Sequence, residues 1–164
     1  MLKYSWVLNM NVKKDKYVII EIIPTTSSKD TGEIAQISAL KLEGLILKDR
    51  FDYRIEEDKI LIPDILRITS YDKEQFKYLK TTNDLLNEFE KWSENLPILI
   101  LDNNYTKDYL RDIKNKKISI CDILKIQYSD NIIEKLMDIY QLEPSNYIVD
   151  LLYESILKSD LNRD

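Results

Sequence analysis

Tyr17-Val-Ile-Ile-Glu-Ile-Ile23 is a continuous β-branched run with one acid inside it, and Pro24 closes it. Polar residues alternate with apolar ones only where one face of a strand meets water, so an unbroken apolar run reads as a central strand buried on both faces. Proline cannot donate to a sheet ladder, which ends the strand at Pro24. Thr25 to Gly32 is polar and reads as a loop. Glu33-Ile-Ala-Gln-Ile-Ser-Ala-Leu-Lys-Leu42 begins a second strand, with alternation clearest toward its end. Glu43-Gly44 makes a turn, and Leu45 to Ile55 reads as a third strand. Two strands joined by a very short Gly-containing link form a hairpin, so the chain opens as a three-strand antiparallel meander.

Downstream the pattern turns helical. Pro63 fits a first helical turn ahead of Ile65, Leu66 and Ile68. Asp72 with Gln75 resembles a capping box before a short helix from Lys73 to Leu79. Thr82 is the expected cap of a helix carrying Leu85, Leu86, Phe89 and Trp92 at helical spacing. Pro97-Ile-Leu-Ile-Leu101 and Lys117-Ile-Ser-Ile-Cys121 read as short buried strands. Between them, Asn104 to Ile113 predicts a helix with Tyr105, Tyr109 and Leu110 on one face. Asp130 is placed to cap a helix with the stripe Ile132, Ile133, Leu136, Met137 and Tyr140. Pro144-Ser145 starts a last helix with Ile148, Val149, Leu152 and Ile156. Three antiparallel strands followed by alternating strands and helices predict an α/β fold, a mixed sheet flanked by helices. That order is the layout of the ribonuclease H-like fold. A length of 164 residues fits a single domain over 1–164.

Composition removes several chemistries. The chain has no histidine, so it holds no Ser-His-Asp triad, no Cys-His pair and no imidazole-ligated zinc. The one cysteine, Cys121, has no internal disulfide partner and lies in an apolar run, which reads as a buried inert thiol in a reducing compartment. Met1 to Met10 lacks the pattern of a signal peptide, and no apolar run approaches a membrane span. A cytoplasmic protein with no membrane partner is expected. A net charge of −5 and a pI near 5.0 oppose general nucleic-acid binding. Lys107, Arg111, Lys114, Lys116 and Lys117 form the clearest basic cluster. It reads either as a phosphate contact or, because Asp108 and Asp112 interrupt it, as a solvated helix face. The tyrosines likewise read either as base-stacking platforms or as packing residues.

Several segments, in order, carry a family resemblance. Val18-Ile-Ile-Glu-Ile-Ile-Pro-Thr-Thr26, then Glu33-Ile-Ala-Gln-Ile-Ser-Ala39, resembles the first motif of the DnaQ-like 3′–5′ exonucleases, hhhDhETTG followed by EIhQIGAh. Ile62 to Phe76 is similar to the family segment IPxxhxxLTGIT-x-E-x-h. Pro97 to Leu110 resembles the second-motif region, Ile118-Ser-Ile-Cys-Asp122 the strand hxDT, and Asn146-Tyr-Ile-Val-Asp-Leu-Leu152 the third motif, HxAxxDA. Together they cover about nine-tenths of the chain in the family's order. The resemblance implies the ribonuclease H-like fold and a two-metal phosphodiester chemistry. In that chemistry four carboxylates hold two divalent ions, and a histidine or tyrosine near the last carboxylate serves the attacking water.

Carried over residue by residue, that site is depleted. The first Asp falls on Glu21 and the Glu two positions on falls on Ile23. The second-motif Asp falls on Thr106, flanked by Asp102 and Asp108 at positions that correspond to non-ligands. The general-base His falls on Asn146 and the last Asp on Leu151. Asp150 is one residue early, a turn of about 100° around a helix. The spacing of Tyr147 and Asp150 does not fit the tyrosine variant YxxxD. Glu21 then reads either as a residual metal ligand or as a semi-buried acid held by hydrogen bonds. Asp150 reads either as a shifted ligand or as a solvated helical acid.

Two function classes follow. In the first, the chain is a catalytically degenerate 3′–5′ exonuclease-like protein that needs no cofactor. It acts through an unknown protein partner or by weak binding of single-stranded nucleic acid. In the second, it is an active exonuclease using Mg or Mn on a noncanonical set drawn from Glu21, Asp102, Asp108 and Asp150. If the basic cluster contacts phosphates, affinity for a single-stranded oligonucleotide should fall steeply between about 50 and 200 mM salt through counterion release. It should fall again in the double variant Arg111→Glu, Lys114→Glu. Weak binding is expected from the global charge, and titration of a labelled oligonucleotide at the two salt concentrations measures it.

Overall fold

A computed structural model describes residues 10–54 and 81–161. The helices expected around Pro63 and from Lys73 to Leu79, and the motif segment from Ile62 to Phe76, lie outside the described residues. In chain order the elements are β1 (Lys16–Pro24), β2 (Ile34–Glu43), β3 (Ile46–Arg54), α1 (Thr82–Ser93), β4 (Ile98–Ile100), α2 (Asn104–Tyr109), β5 (Lys117–Ser119), α3 (Ile120–Leu124), α4 (Ile132–Tyr140) and α5 (Ile148–Leu161). The strands form one mixed five-stranded sheet in the order β3-β2-β1-β4-β5. β1 runs antiparallel to β2 and parallel to β4, with β2–β3 antiparallel and β4–β5 parallel. This is the mixed sheet flanked by helices that the sequence order predicts.

β1 owes its central place to its residues. Tyr17, Ile19 and Ile23 project into one apolar cluster with Leu99, Val149, Leu152 and Ile156. Val18, Ile20 and Ile22 project to the other side and meet Leu85, Phe89, Ile98 and Tyr109. Successive side chains on a strand point to opposite faces, so a run that is apolar on both faces needs a cover on each. α5 supplies one cover and α1 with α2 the other. Each large side chain so buried contributes roughly 1.5–3 kcal/mol. Cys121 is buried in the first cluster, where burial pushes its thiol up to about 11, in keeping with an inert core sulfur.

Several boundaries differ from the sequence expectation. Thr81, not Thr82, caps α1, accepting from the Asp84 N–H at 3.1 Å. Thr82 is buried, and its Oγ1 accepts from the Ile34 N–H at 3.0 Å, tying α1 to the first residue of β2. The helix expected to reach Ile113 stops at Tyr109, and its cap is Asn103, which accepts from the Thr106 N–H. The run expected to remain a strand to Cys121 leaves the sheet at Ser119 and turns into α3, which ends at Lys125 in the left-handed region, φ 59°. No side chain caps α4 at Asp130; Asn131 precedes it without a capping bond. α5 begins at Ile148 rather than at Pro144-Ser145, and the Ser145 hydroxyl accepts from the Tyr147 N–H at 3.1 Å ahead of it.

The loop from Thr25 to Glu33 is held at its neck and its tip. The Thr25 N–H donates to the Glu33 carbonyl at 2.8 Å, and the Glu33 N–H to Thr25 Oγ1 at 2.9 Å. The buried Tyr109 hydroxyl lies 3.1 Å from the carbonyls of both Thr26 and Ser28. Gly32 sits against this knot, and a Cβ there would overlap Thr26 Oγ1 and the Tyr109 hydroxyl. We expect Gly32→Ala to lower stability by about 1–3 kcal/mol through forced displacement of that contact. Tyr109→Phe should cost about 1 kcal/mol. Urea unfolding midpoints of the two variants check the order.

Candidate functional site

Strand register assembles the site. Opposite residues on paired strands share a face. On the face covered by α5, three rows run across β1, β2 and β3: Ile19, Leu40, Arg50; Glu21, Ser38, Asp52; Ile23, Gln36, Arg54. Each row passes from the buried centre to a polar edge. Glu21 is 3% exposed. Its Oε1 accepts from the Ile22 N–H at 3.0 Å, and its Oε2 has no hydrogen-bond partner among the described residues. Burial pushes its carboxyl up to about 8, only partly offset by that backbone bond, so the group is mostly neutral at pH 7. Beside it the Gln36 side-chain amide donates to Ser38 Oγ at 3.2 Å, while Gln36 Oε1 has no partner among the described residues.

The polar edge is an ion-pair network. Arg50 donates from Nη1 and Nη2 to the two oxygens of Asp150, at 2.9 and 3.2 Å, and from Nε to Asp52 at 2.6 Å. Asp150 lies in the first turn of α5, so the guanidinium joins β3 to the last helix. Its bond to Asp150 is the bidentate fork that guanidinium and carboxylate geometry favour. The guanidinium carbons of Arg50 and Arg54 each lie 4.7 Å from the centre of the Tyr147 ring. Asp150, which the sequence left as either a shifted ligand or a solvated helical acid, is an ion-pair partner of Arg50. Arg50, Arg54 and Tyr147 were not among the sequence candidates. The available signal was Arg50, Asp52 and Arg54 at strand spacing, which puts three charges on one face of β3.

The remaining candidates lie as follows. Ile23 and Leu151 are each 1% exposed and belong to the same apolar cluster. Thr106 is fully buried in α2, and its Oγ1 has no partner among the described residues. Asn146 is exposed, just ahead of α5. Asp102 accepts from the Ser119 hydroxyl and has Lys107 at 3.8 Å. Asp108 accepts from the Lys29 N–H at 2.7 Å and from Arg111 at 2.7 Å, and the Lys29 bond leads in lowering its carboxyl below the usual range. Tyr128 is raised mainly by burial, with the charges of Asp130, Glu21 and Asp102 adding to it. Among the described residues, no three His, Cys, Asp or Glu side chains group as a metal site.

The basic cluster is largely engaged with the protein. Arg111 meets Asp30 at 2.6 Å, Asp108 at 2.7 Å and Asp112 at 3.9 Å. The Lys117 ammonium donates to the Ile113 carbonyl, and burial lowers its pKa. Lys114 is exposed, with its backbone N–H on Glu90 at 3.0 Å. Lys116 lines a cleft of about 420 Å³ with Lys16, Asp15, Asn95 and Pro97, at the opposite ends of β1 and β5 from Pro24 and Ser119.

No protein-family model matches the sequence, and no curated protein matches it significantly. Solved structures do resemble the fold. The zinc-bound E. coli exonuclease I–single-stranded DNA complex matches at 12% identity with a TM-score of 0.61, over 90% of this chain and 40% of that one. Exonuclease X in complex with 5′-overhanging duplex DNA matches at 11% identity and TM-score 0.62, over 89% of this chain and 91% of that one. Cell-death related nuclease 4 matches at 12% identity and TM-score 0.59, over 92% and 64%. The chain thus spans about two fifths of the length of exonuclease I. The fold is the ribonuclease H-like fold of these exonucleases, at low sequence identity.

The neutral Glu21 carries a pH signature. From its ordinary 4.5 up to about 8, the folded state holds a proton that the unfolded chain has released. Its contribution is fully present below the lower value and is lost as pH rises toward the upper one. The limiting slope is about 1.4 kcal/mol per pH unit. Urea unfolding of the native protein and of Glu21→Gln, from about pH 5 to pH 8, should show a decline in the native protein that the variant lacks.

Proposed function

We propose that this chain is a non-catalytic protein of the exonuclease fold. It works through a protein partner, or by weak binding of single-stranded nucleic acid, and not by cutting phosphodiester bonds. The observation that carries this reading is the fate of the ligand positions. Ile23 and Leu151, where the resemblance puts a Glu and an Asp, are both buried in the same apolar cluster. Asp150, the nearest acid to Leu151, is held by Arg50. Glu21 alone keeps a carboxyl at a ligand position, and its burial favours the neutral form. Thr106 offers one hydroxyl.

Two divalent ions carry four positive charges, which the family offsets with four carboxylates. One carboxyl and one hydroxyl leave most of that charge unmet, and the ions remain better solvated in water. The residues present do not fit a metal pair. The alternative ligand set fares no better: Asp102 is engaged by Ser119, Asp108 by Lys29 and Arg111, and Asp150 by Arg50.

DNA in the exonuclease I and exonuclease X complexes supports nucleic acid as a ligand class. The net charge of −5 and the engagement of Arg111 with three acids argue that such binding is weak. No helix among the described residues is long and apolar enough to cross a membrane. We take the chain as a single cytoplasmic domain over 1–164.

The test is a manganese-dependent nuclease assay on single-stranded DNA and RNA, run with thermal unfolding. The native protein should release no product, and its Tm should not move with manganese. The variant Ile23→Glu, Thr106→Asp, Leu151→Asp should be less stable without metal and regain about 2–3 kcal/mol when manganese reaches roughly a hundred times Kd. Metal-dependent cleavage by the native protein would overturn the reading. A folded triple variant indifferent to manganese would overturn the residue mapping beneath it.

A further inference from the structure

The ion-pair network at the edge of this face does more than occupy an acid. Asp52 on β3 and Asp150 on α5 come from strand and helix segments far apart in sequence, yet one guanidinium bonds both. The side chains of Arg50 and Asp150 are each 33% exposed and that of Asp52 is 32%, so all three are partly withdrawn from water. Two acids this close to one cation repel each other if that cation is removed. Among the described residues, Ser145 Oγ also approaches Asp150, at 3.5 Å. Arg54, stacked on Tyr147 beside Arg50, adds a second positive charge to the same face. One guanidinium thus bonds both carboxylates directly, with Arg54 close by on the same ring.

We propose that Arg50 is a built-in counter-ion: it holds Asp52 and Asp150 together, clamps α5 to the edge strand β3, and makes the closure of this face independent of divalent metal. The proposal deepens the non-catalytic reading, because it identifies what balances the acids in a face with too few of them for a metal pair. A guanidinium suits the task. Its charge persists at every physiological pH, and its flat fork meets one carboxylate with two bonds while a third donor reaches another. Its face stays free to stack on Tyr147. A lysine would keep the charge and lose both the fork and the stack.

The decisive variant is Arg50→Met, which keeps much of the stem and leaves Asp52 and Asp150 without their shared cation. Thermal unfolding is followed in EDTA and in about 5 mM manganese, a concentration that reveals a site of millimolar affinity or better. The native protein should unfold at one temperature in both. Arg50→Met should unfold about 4–8 °C lower in EDTA and recover at least half of that loss in manganese, because the ion then bridges the two acids. Adding Asp52→Asn and Asp150→Asn to Arg50→Met should abolish the manganese response. If Arg50→Met does not fold, Arg50→Lys is read instead. A lower Tm with no manganese response then supports the inference, and a Tm equal to the native one overturns it. A folded Arg50→Met that ignores manganese overturns the counter-ion role and leaves the non-catalytic reading standing. A native protein stabilised by manganese overturns both.

Discussion

Everything in this fold leans on the double burial of β1. A strand with no polar face cannot sit at the edge of a sheet or against solvent, so it recruits a cover on each side. One is α5, from the far end of the described chain; the other is α1 with α2. That demand also fixes the fate of Glu21. It shares a face with Ile19 and Ile23, under α5, where burial disfavours an ionised carboxylate and its Oε2 has no hydrogen-bond partner among the described residues. The cheapest solution is to keep its proton. The chemistry of the position is set by the packing around it more than by the identity of the residue.

Much of this was legible in the sequence where the information is local. The unbroken run from Val18 to Ile23 marked the central strand, and Gly44 marked the hairpin, with φ +61 in the turn. What failed was decided by distant partners. Thr81 and Thr82 are equally good caps by residue type. The choice fell to Thr81 because the hydroxyl of Thr82 is taken by the N–H of Ile34, 48 positions away. Ile118 to Leu124 is apolar enough for a strand or a helix, and periodicity cannot divide so short a run. The chain leaves the sheet at Ser119 to form α3.

The candidate site shows the same division. Register arithmetic puts Glu21, Ser38 and Asp52 in one row once the pairing is known, and a period of two was available to place Arg50, Asp52 and Arg54 together, though none of the three was a sequence candidate. No pattern in the sequence links Arg50 to Asp150, which are 100 residues apart. The substitutions at Ile23 and Leu151 were visible one at a time, while their meeting in a single apolar cluster required the fold. Charge and shape then agree across levels: where carboxylates are absent from this face, aliphatic side chains fill it, and where carboxylates persist at its edge, arginines accompany them. Such mutual consistency is what a well-specified native state looks like.

The order of the elements along the chain has a consequence for how the protein is made. As β1 leaves the ribosome, β2 and β3 follow at once to complete a meander of local pairings. The helix that covers the Tyr17, Ile19 and Ile23 side of that meander is synthesised more than a hundred residues later. Throughout that interval the nascent chain carries a sheet whose apolar face still lacks α5, the kind of surface that invites intermolecular association. A messenger truncated before Ile148 is therefore expected to encode a sticky product rather than a smaller stable one, because the cluster around Tyr17, Ile19 and Ile23 would lose Val149, Leu152 and Ile156.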